Sequence, residues 1–398
     1  MRKTLLFFIV LALFSGNTAF SQRKQPLSGY EFKTIADLKA TSVKDQGGVG
    51  ACWSYATLSF LESELLRKGK GTYDLAEMFI AKNAYLEKGI RYVQFHGATS
   101  FREGGQAHDA IAMIKKHGIV PEEIYRGMNY GGKTHNHAEM MDALQGIVNG
   151  INKNSSGHLT PVWIKGYNAF IEAYLGENPD TFTYQGKEYT PKSFAESLDL
   201  DMNDYVEITS FKAYPYYETV VLPMPDNWLH GQYYNVPLDE MMEIMRNSLQ
   251  KGYTVCWDGD VSQTGFNFAD GIAILPPMKG EEVVNGEKYN WNALSEDEQE
   301  DKKDAYLEPI SERNVTEEWR QARLDRRSTN DDHLMHITGL FQDQYGTYYY
   351  KTKNSWAEDS NKFGGYLKMS ESYCRMQTVA ILVHKDAIPK EIRKKLGL

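Results

Sequence analysis

Cysteine is scarce in this chain: three residues in 398, an odd number that leaves at least one thiol unbridged. A bridge between Cys256 and Cys374 would free Cys52, and two unpaired buried thiols at those positions fit the sequence as well. Basic residues are in the minority, 44 Lys and Arg against 53 Asp and Glu, for a formal net charge of -9. An acidic chain without a basic stripe is poorly suited to a nucleic-acid partner, so none is expected. No internal repeat occurs, and beyond the N-terminus there is no second long apolar run. Core material is plentiful, with 41% apolar and 13% aromatic residues, enough for one large or two ordinary globular domains.

Residues 1–21 have the layout of a secretory signal. Arg2 and Lys3 supply the positive start, Leu5 to Phe14 the apolar stretch, and Ala19-Phe20-Ser21 a small-x-small cleavage site. The apolar stretch is too short to span a bilayer. Export to a periplasmic or secreted location is the expectation.

The chain is organised around Asp45-Gln46-Gly47-Gly48-Val49-Gly50-Ala51-Cys52-Trp53-Ser54. Three glycines in four positions permit a crowded turn, and Trp53, Ala56, Phe60, Leu61 and Leu65 then recur at helical spacing. Cys52 is thus placed at the first turn of a helix, where free N–H groups and the macrodipole favour an anion and should lower the thiol pKa. A lone cysteine after glycines is usually only a small hydrophobe. A catalytic reading of Cys52 therefore needs a base, an orienting group and an oxyanion donor elsewhere.

Those partners are present far down the chain. The stretch Asp331 to Gly339 offers a histidine, His333 or His336, in a β-type run that reaches Phe341, and Asn354 ends the next run, so antiparallel pairing would bring a histidine and Asn354 together. A thiol nucleophile needs an imidazole, and the imidazole needs an acceptor on its other nitrogen. Gln46 has an amide NH2 that could serve an oxyanion beside the Cys52 N–H, and Trp356 could shield the histidine. His336, three positions on, should point to the opposite face from His333. Gly104-Gly105 reads either as a simple turn before a helix or as a bare backbone edge along which a peptide could align. His135, His137 and Glu139 sit in a polar loop without a matching downstream ligand set, so no metal site is expected there.

Helical patterns over 52–68, from Asp74, over 103–117, 138–177 and 191–198 precede strand patterns at 205–211, 253–257, 333–341, 348–353, 365–369 and 378–384. A further helix is expected over 238–250, and 316–327 reads as an exposed one. Residues 279–304 read as a solvated acidic excursion. Helices first and sheet later predict an α+β fold.

The set Gln46, Cys52-Trp53, His333 and Asn354-Ser355-Trp356 resembles the papain-like cysteine peptidases. Glu103-Gly104-Gly105-Gln106, Lys115 to Pro121, Val255 to Val261, Asn354 to Asp359 and Gly365-Tyr366-Leu367 are similar to the bleomycin hydrolase and aminopeptidase C branch. The resemblance spans about 40–384. It implies a peptidase domain over 22–384 after the signal at 1–21, with a helical part over about 40–200, a β-rich part over about 201–384, inserted helices, and a tail at 385–398.

The resemblance further implies Cys52, His333, Asn354 and Gln46 as catalytic residues and Gly104, Gly105 and Trp356 at the substrate. It implies peptide substrates, no metal or organic cofactor, and a hexamer with inward-facing sites. In that branch the chain end enters the cleft and restricts cleavage to free N-termini, so an aminopeptidase is expected. An endopeptidase and a non-catalytic peptide-binding relative are the alternatives. Two departures stand out: Ala357 replaces the usual glycine after Asn-Ser-Trp, and Val49 stands where many relatives carry a disulfide cysteine.

Overall fold

A computed structural model describes residues 27–263, 265–275, 281–284, 287–290 and 308–398. The signal expected at 1–21 and most of the acidic excursion expected at 279–304 lie outside the described residues. The N-terminal half supplies helices α1 (Cys52–Arg67), α2 (Glu77–Gln94), α3 (Ala107–His117), α4 (Ala138–Asn152), α5 (Val162–Leu175) and α6 (Pro191–Ser197). Later come α7 (Leu238–Gln250), α8 (Glu317–Asp325), α9 (Glu371–Gln377) and α10 (Lys390–Leu396).

Strand β1 (Lys33–Asp37) leads the chain, and β2 (Phe182–Tyr184) with β3 (Lys187–Tyr189) makes a separate hairpin. Next are β4 (Tyr205–Thr209), β5 (Thr219–Val220), β6 (Tyr233–Asn235), β7 (Val255–Gly259), β8 (Phe266–Asn267) and β9 (Ile272–Ala273). A second separate hairpin joins β10 (Glu281–Val284) to β11 (Glu287–Asn290). The chain closes its sheet with β12 (His333–Gln342), β13 (Tyr348–Lys353), β14 (Tyr366–Ser370) and β15 (Thr378–His384). Among the described residues the main sheet runs β5-β6-β4-β15-β7-β12-β13-β14-β9-β8, with β1 also paired to β12. Helices early and sheet late make this the α+β arrangement expected.

Strand β12 is buried at every position but its last because it is covered on both faces. Leu334 and Cys256 pack toward the helical half with Leu58, Leu61 and Phe79, whereas Met335, Ile337, Val255 and Trp257 pack with Met241, Met245 and Ile392. Successive residues serve opposite cores, as the pleat requires.

Helix α1 runs between the sheet and the helical half. Cys52 through Leu65 are all buried, so the charged face implied by its sequence is internal. Glu62 accepts from Thr41 Oγ1 at 2.5 Å and from the Leu75 N–H at 2.8 Å, and Glu64 pairs with Arg67 at 2.7 Å. Buried carboxylates of this kind persist only when so partnered. Helix α8 also differs from expectation. Its Arg320 is 2% exposed, and its guanidinium donates to the carbonyls of Ser210, Arg375, Met376 and Thr378.

Candidate active site

The glycine turn before Cys52 is shaped by its neighbours. Gly47 has φ +63°, and a Cβ there would come within 2.6 Å of the His135 carbonyl oxygen, which itself accepts from the Gly48 N–H at 2.7 Å. The His135–His137 segment is thus a backbone support for the turn, and the His137 ring meets the Tyr85 hydroxyl at 3.1 Å.

Cys52 is the first residue of α1 and is 8% exposed. The Leu334 backbone N–H acts on the Cys52 thiol in the direction that favours its thiolate, so Cys52 faces the residue that follows His333. All three cysteines are free; Cys256 and Cys374 belong to different cores, so they form no bridge.

His333 Nε2 donates to Asn354 Oδ1 at 2.7 Å, which leaves Nδ1 as the acceptor. The same Asn354 oxygen accepts from the Ser355 N–H at 2.8 Å. Trp356 stacks on His333 with ring centroids 4.8 Å apart and planes at 27°. His336 lies on the other face of β12, where its Nδ1 meets Ser59 Oγ at 2.9 Å.

Gln46 is tied to this group. Its backbone N–H donates to the Ser355 carbonyl at 2.9 Å, its Oε1 accepts from Ser355 Oγ at 2.6 Å, and its Nε2 donates to the Val49 carbonyl at 2.8 Å. With Oε1 occupied, the amide NH2 must face the Cys52 turn. Asp45 bridges to Trp356 and the Ala357 N–H donates to the Lys44 carbonyl, so two short stretches far apart in sequence are laced into one wall.

Electrostatics depart from the sequence expectation of a lowered thiol pKa. Burial pushes the Cys52 thiol up to about 12; the Leu334 N–H opposes this, and the carboxylates of Asp258, Asp331 and Asp226 add to the rise. The helix N-terminus is outweighed by desolvation and three nearby acids. Burial pushes His333 down to about 4 against the pull of Asn354. Burial thus opposes charge on both partners.

Gly104 and Gly105 also differ from a bare edge. A Cβ on Gly104 would overlap the Asp226 carboxylate, and one on Gly105 would lie 2.9 Å from Asp109 Oδ2 and 3.0 Å from the Trp53 indole. Lys88 Nζ donates to the Gly104 carbonyl. Packing demands glycine at both positions, and Asp226 stands over the first.

Residues 385–398 lie on the far face of the sheet. Ile392 and Leu396 join the core with Met241 and Met245, the Ala387 carbonyl accepts from Asn247 at 2.5 Å, and Lys395 pairs with Glu240 at 2.6 Å. All these partners are on α7, which packs on the face opposite α1.

Sequence reasoning missed the acids. Asp258, 3% exposed, faces the same side as Leu334 and Cys256, across the sheet from Leu334. The available signal was its place in Val-Cys-Trp-Asp-Gly, a strand apolar on both faces whose one charge has no polar face to occupy.

The sequence family described as Papain family cysteine protease matches residues 31–173, and the Peptidase C1-like family matches 306–397. Aminopeptidase G of Lactobacillus delbrueckii subsp. lactis is 23% identical over 91% of this chain and 85% of its own. Aminopeptidase C of Streptococcus thermophilus is 23% identical over 91% of this chain and 84% of its own. The crystal structure of PepW from Lactobacillus rhamnosis superposes with a TM-score of 0.65 at 18% identity, covering 92% of this chain and 84% of that one, so the two share a fold. One family match contains Gln46 and Cys52 and the other His333 and Asn354, and the chain belongs to the papain-like cysteine peptidases, in the aminopeptidase C branch.

Proposed function

We propose that this chain is a cysteine-type aminopeptidase that removes N-terminal residues from peptides through a thioester acyl-enzyme. The observation that carries the chemistry is the 2.7 Å His333–Asn354 pair, one residue from Leu334, whose N–H acts on the Cys52 thiol. His333 Nδ1 takes the thiol proton as Sγ attacks the scissile carbonyl carbon, so ionisation accompanies attack. The Cys52 N–H and the Gln46 amide stabilise the oxyanion. Protonated His333 then gives its proton to the leaving amine. Water, deprotonated by His333, attacks the thioester, and Cys52 leaves as thiolate and is reprotonated.

Endopeptidase action is the second reading. It is favoured by residues 385–398, which pack against α7, on the face of the sheet opposite α1. Aminoacyl substrates with a free amine, compared with their N-acylated forms, separate the two. Preference for the free amine, abolished by Cys52→Ser, supports the proposal, and comparable cleavage of blocked peptides overturns it.

Export through the signal at 1–21 and assembly into a hexamer are part of the same proposal. They rest on the residue pattern and the family resemblance respectively. N-terminal sequencing of extracytoplasmic protein and sedimentation of the purified chain test them; an uncleaved cytoplasmic product or a monomer overturns each in turn.

A further inference from the structure

Next to Cys52 lies a group of acids that the thiol chemistry does not use. Asp258 on β7 is the direct cross-strand partner of Leu334, and both the Leu334 N–H and the Asp258 carboxylate act on the Cys52 thiol. Directly opposed residues in an antiparallel pair have Cα atoms about 4.5–5.5 Å apart, so the Asp258 carboxylate is about a side-chain length from the nucleophile. Asp331 faces it from the segment entering β12, and its Oδ2 accepts from Gln106 Nε2. Asp226 completes the group from the segment between β5 and β6, over Gly104.

The surrounding charges are unevenly spent. His108 meets Glu207 at 2.5 Å and Asp109 at 3.4 Å, and Lys88 and Arg102 act on Asp226. On Asp258 and Asp331 the leading influences are burial and neighbouring carboxylates, with Asp331 foremost on Asp258 and Asp226 foremost on Asp331. Among the described residues, buried Asp258 meets no N–H or hydroxyl donor, and its hydrogen-bonding partner is the Asp331 carboxyl. A second orphan points to the same place. The Tyr233 hydroxyl, 0% exposed, has no hydrogen-bond partner among the described residues and lies within the field of Glu207 first, then of Asp258, Asp331 and Asp109. Asp331 and Asp226 are only half-buried, so the group opens toward solvent.

Paired buried carboxylates without a cation hold a proton between them. An ammonium group could replace that proton, bringing both charge and hydrogen bonds. Substrate geometry says which ammonium fits. In an amino acid the α-nitrogen is two bonds from the carbonyl carbon, so with that carbon against Sγ the nitrogen is within a few ångström of the thiol. Its acceptor must lie beside the nucleophile, as Asp258 does. Residues 385–398 pack on the far face of the sheet, against α7, and supply no group to this place.

We propose that Asp258 and Asp331, flanked by Asp226 over Gly104, bind the α-ammonium of the substrate's N-terminal residue. The proposal rests on the aminopeptidase reading and supplies its specificity from inside the fold. Asp226 stands where a peptide extending past that residue would run, which limits the site to one residue. Binding an ammonium also offsets the carboxylates that hold the thiol in its protonated form, so the correct substrate favours its own nucleophile.

The test compares an aminoacyl amide with its des-amino acyl analogue, identical except for the α-ammonium, in wild type, Asp258→Asn and Asp331→Asn. The ratio of kcat/KM, free amine over des-amino, should fall by roughly 10–100-fold in each variant, the range for a lost charge-assisted hydrogen bond. Half-buried Asp331 gives a readable variant even if Asp258→Asn fails to fold. An unchanged ratio, or an equal loss on both substrates, overturns the proposal. A wild-type enzyme that favours blocked peptides overturns the aminopeptidase reading itself. A preference that follows a basic side chain in blocked peptides assigns the acids to that side chain and refutes the α-ammonium assignment.

Discussion

Ala357→Gly is expected to stabilise the protein. Ala357 has φ 71° and ψ 152°, a region populated essentially by glycine alone, where another residue carries strain of about 1–3 kcal/mol. It is held there from both sides: its N–H donates to the Lys44 carbonyl at 3.1 Å and its carbonyl accepts from Ser360 Oγ at 2.6 Å. Glycine keeps both bonds and relieves the strain, while its freer unfolded chain returns about 0.4–1 kcal/mol. The net gain is about 0.5–2 kcal/mol, or a rise in Tm of roughly 1–5 °C for a chain of this size. Thermal and guanidinium unfolding in a Cys52→Ser background, which prevents self-cleavage, measure it. Ala357→Val, β-branched at the same dihedrals, should move the other way. Because the change leaves the wall of Gln46, Ser355 and Trp356 intact, kcat/KM of the catalytically intact Ala357→Gly enzyme should match wild type. A fall in stability on Ala357→Gly would show that the strain assigned to this residue is not there.

The two histidines of β12 should separate in turnover. His333→Ala loses about 10²–10⁴-fold in kcat with the fold intact, whereas His336→Ala retains activity and loses stability through the Ser59 contact, as kinetics and unfolding of both variants would show. Arg320→Met leaves the carbonyls of Ser210, Arg375, Met376 and Thr378 without their donor. It should cost about 3–5 kcal/mol by denaturant titration, and a change under 1 kcal/mol would remove Arg320 from the supports of the sheet. His108 carries a pH signature. Burial lowers its pKa, but Glu207 and Asp109 raise it further, to about 9. Its contribution, on the order of 3 kcal/mol, is complete below the unfolded value near 6.5 and is lost as pH rises through about 9. The stability gap between wild type and His108→Gln should be wide at pH 6 and narrow at pH 10; a gap that does not shrink rules out the imidazolium as its source.

Much of the chemistry was legible from sequence because it depends on short, local patterns. A cysteine after a glycine turn and before helical spacing, a histidine opening one strand and an asparagine closing the next are each local, and alternation separated His333 from His336. The tertiary structure decided what depends on elements meeting. It buried α1 on all sides, and burial together with three acids distant in sequence raises the Cys52 thiol pKa where the helix N-terminus alone would lower it. Asp226, Asp258 and Asp331 come from three separate segments, so no spacing in the chain could announce their convergence. The tail's place against α7 was equally invisible, because apolar Ile392 and Leu396 specify burial and not the surface that provides it. Sequence by itself picked out the groups that the fold brings together at the candidate site, since residue type and local pattern mark a reactive group. Their protonation and the charge facing the substrate were decided only by the fold, because electrostatics act through space.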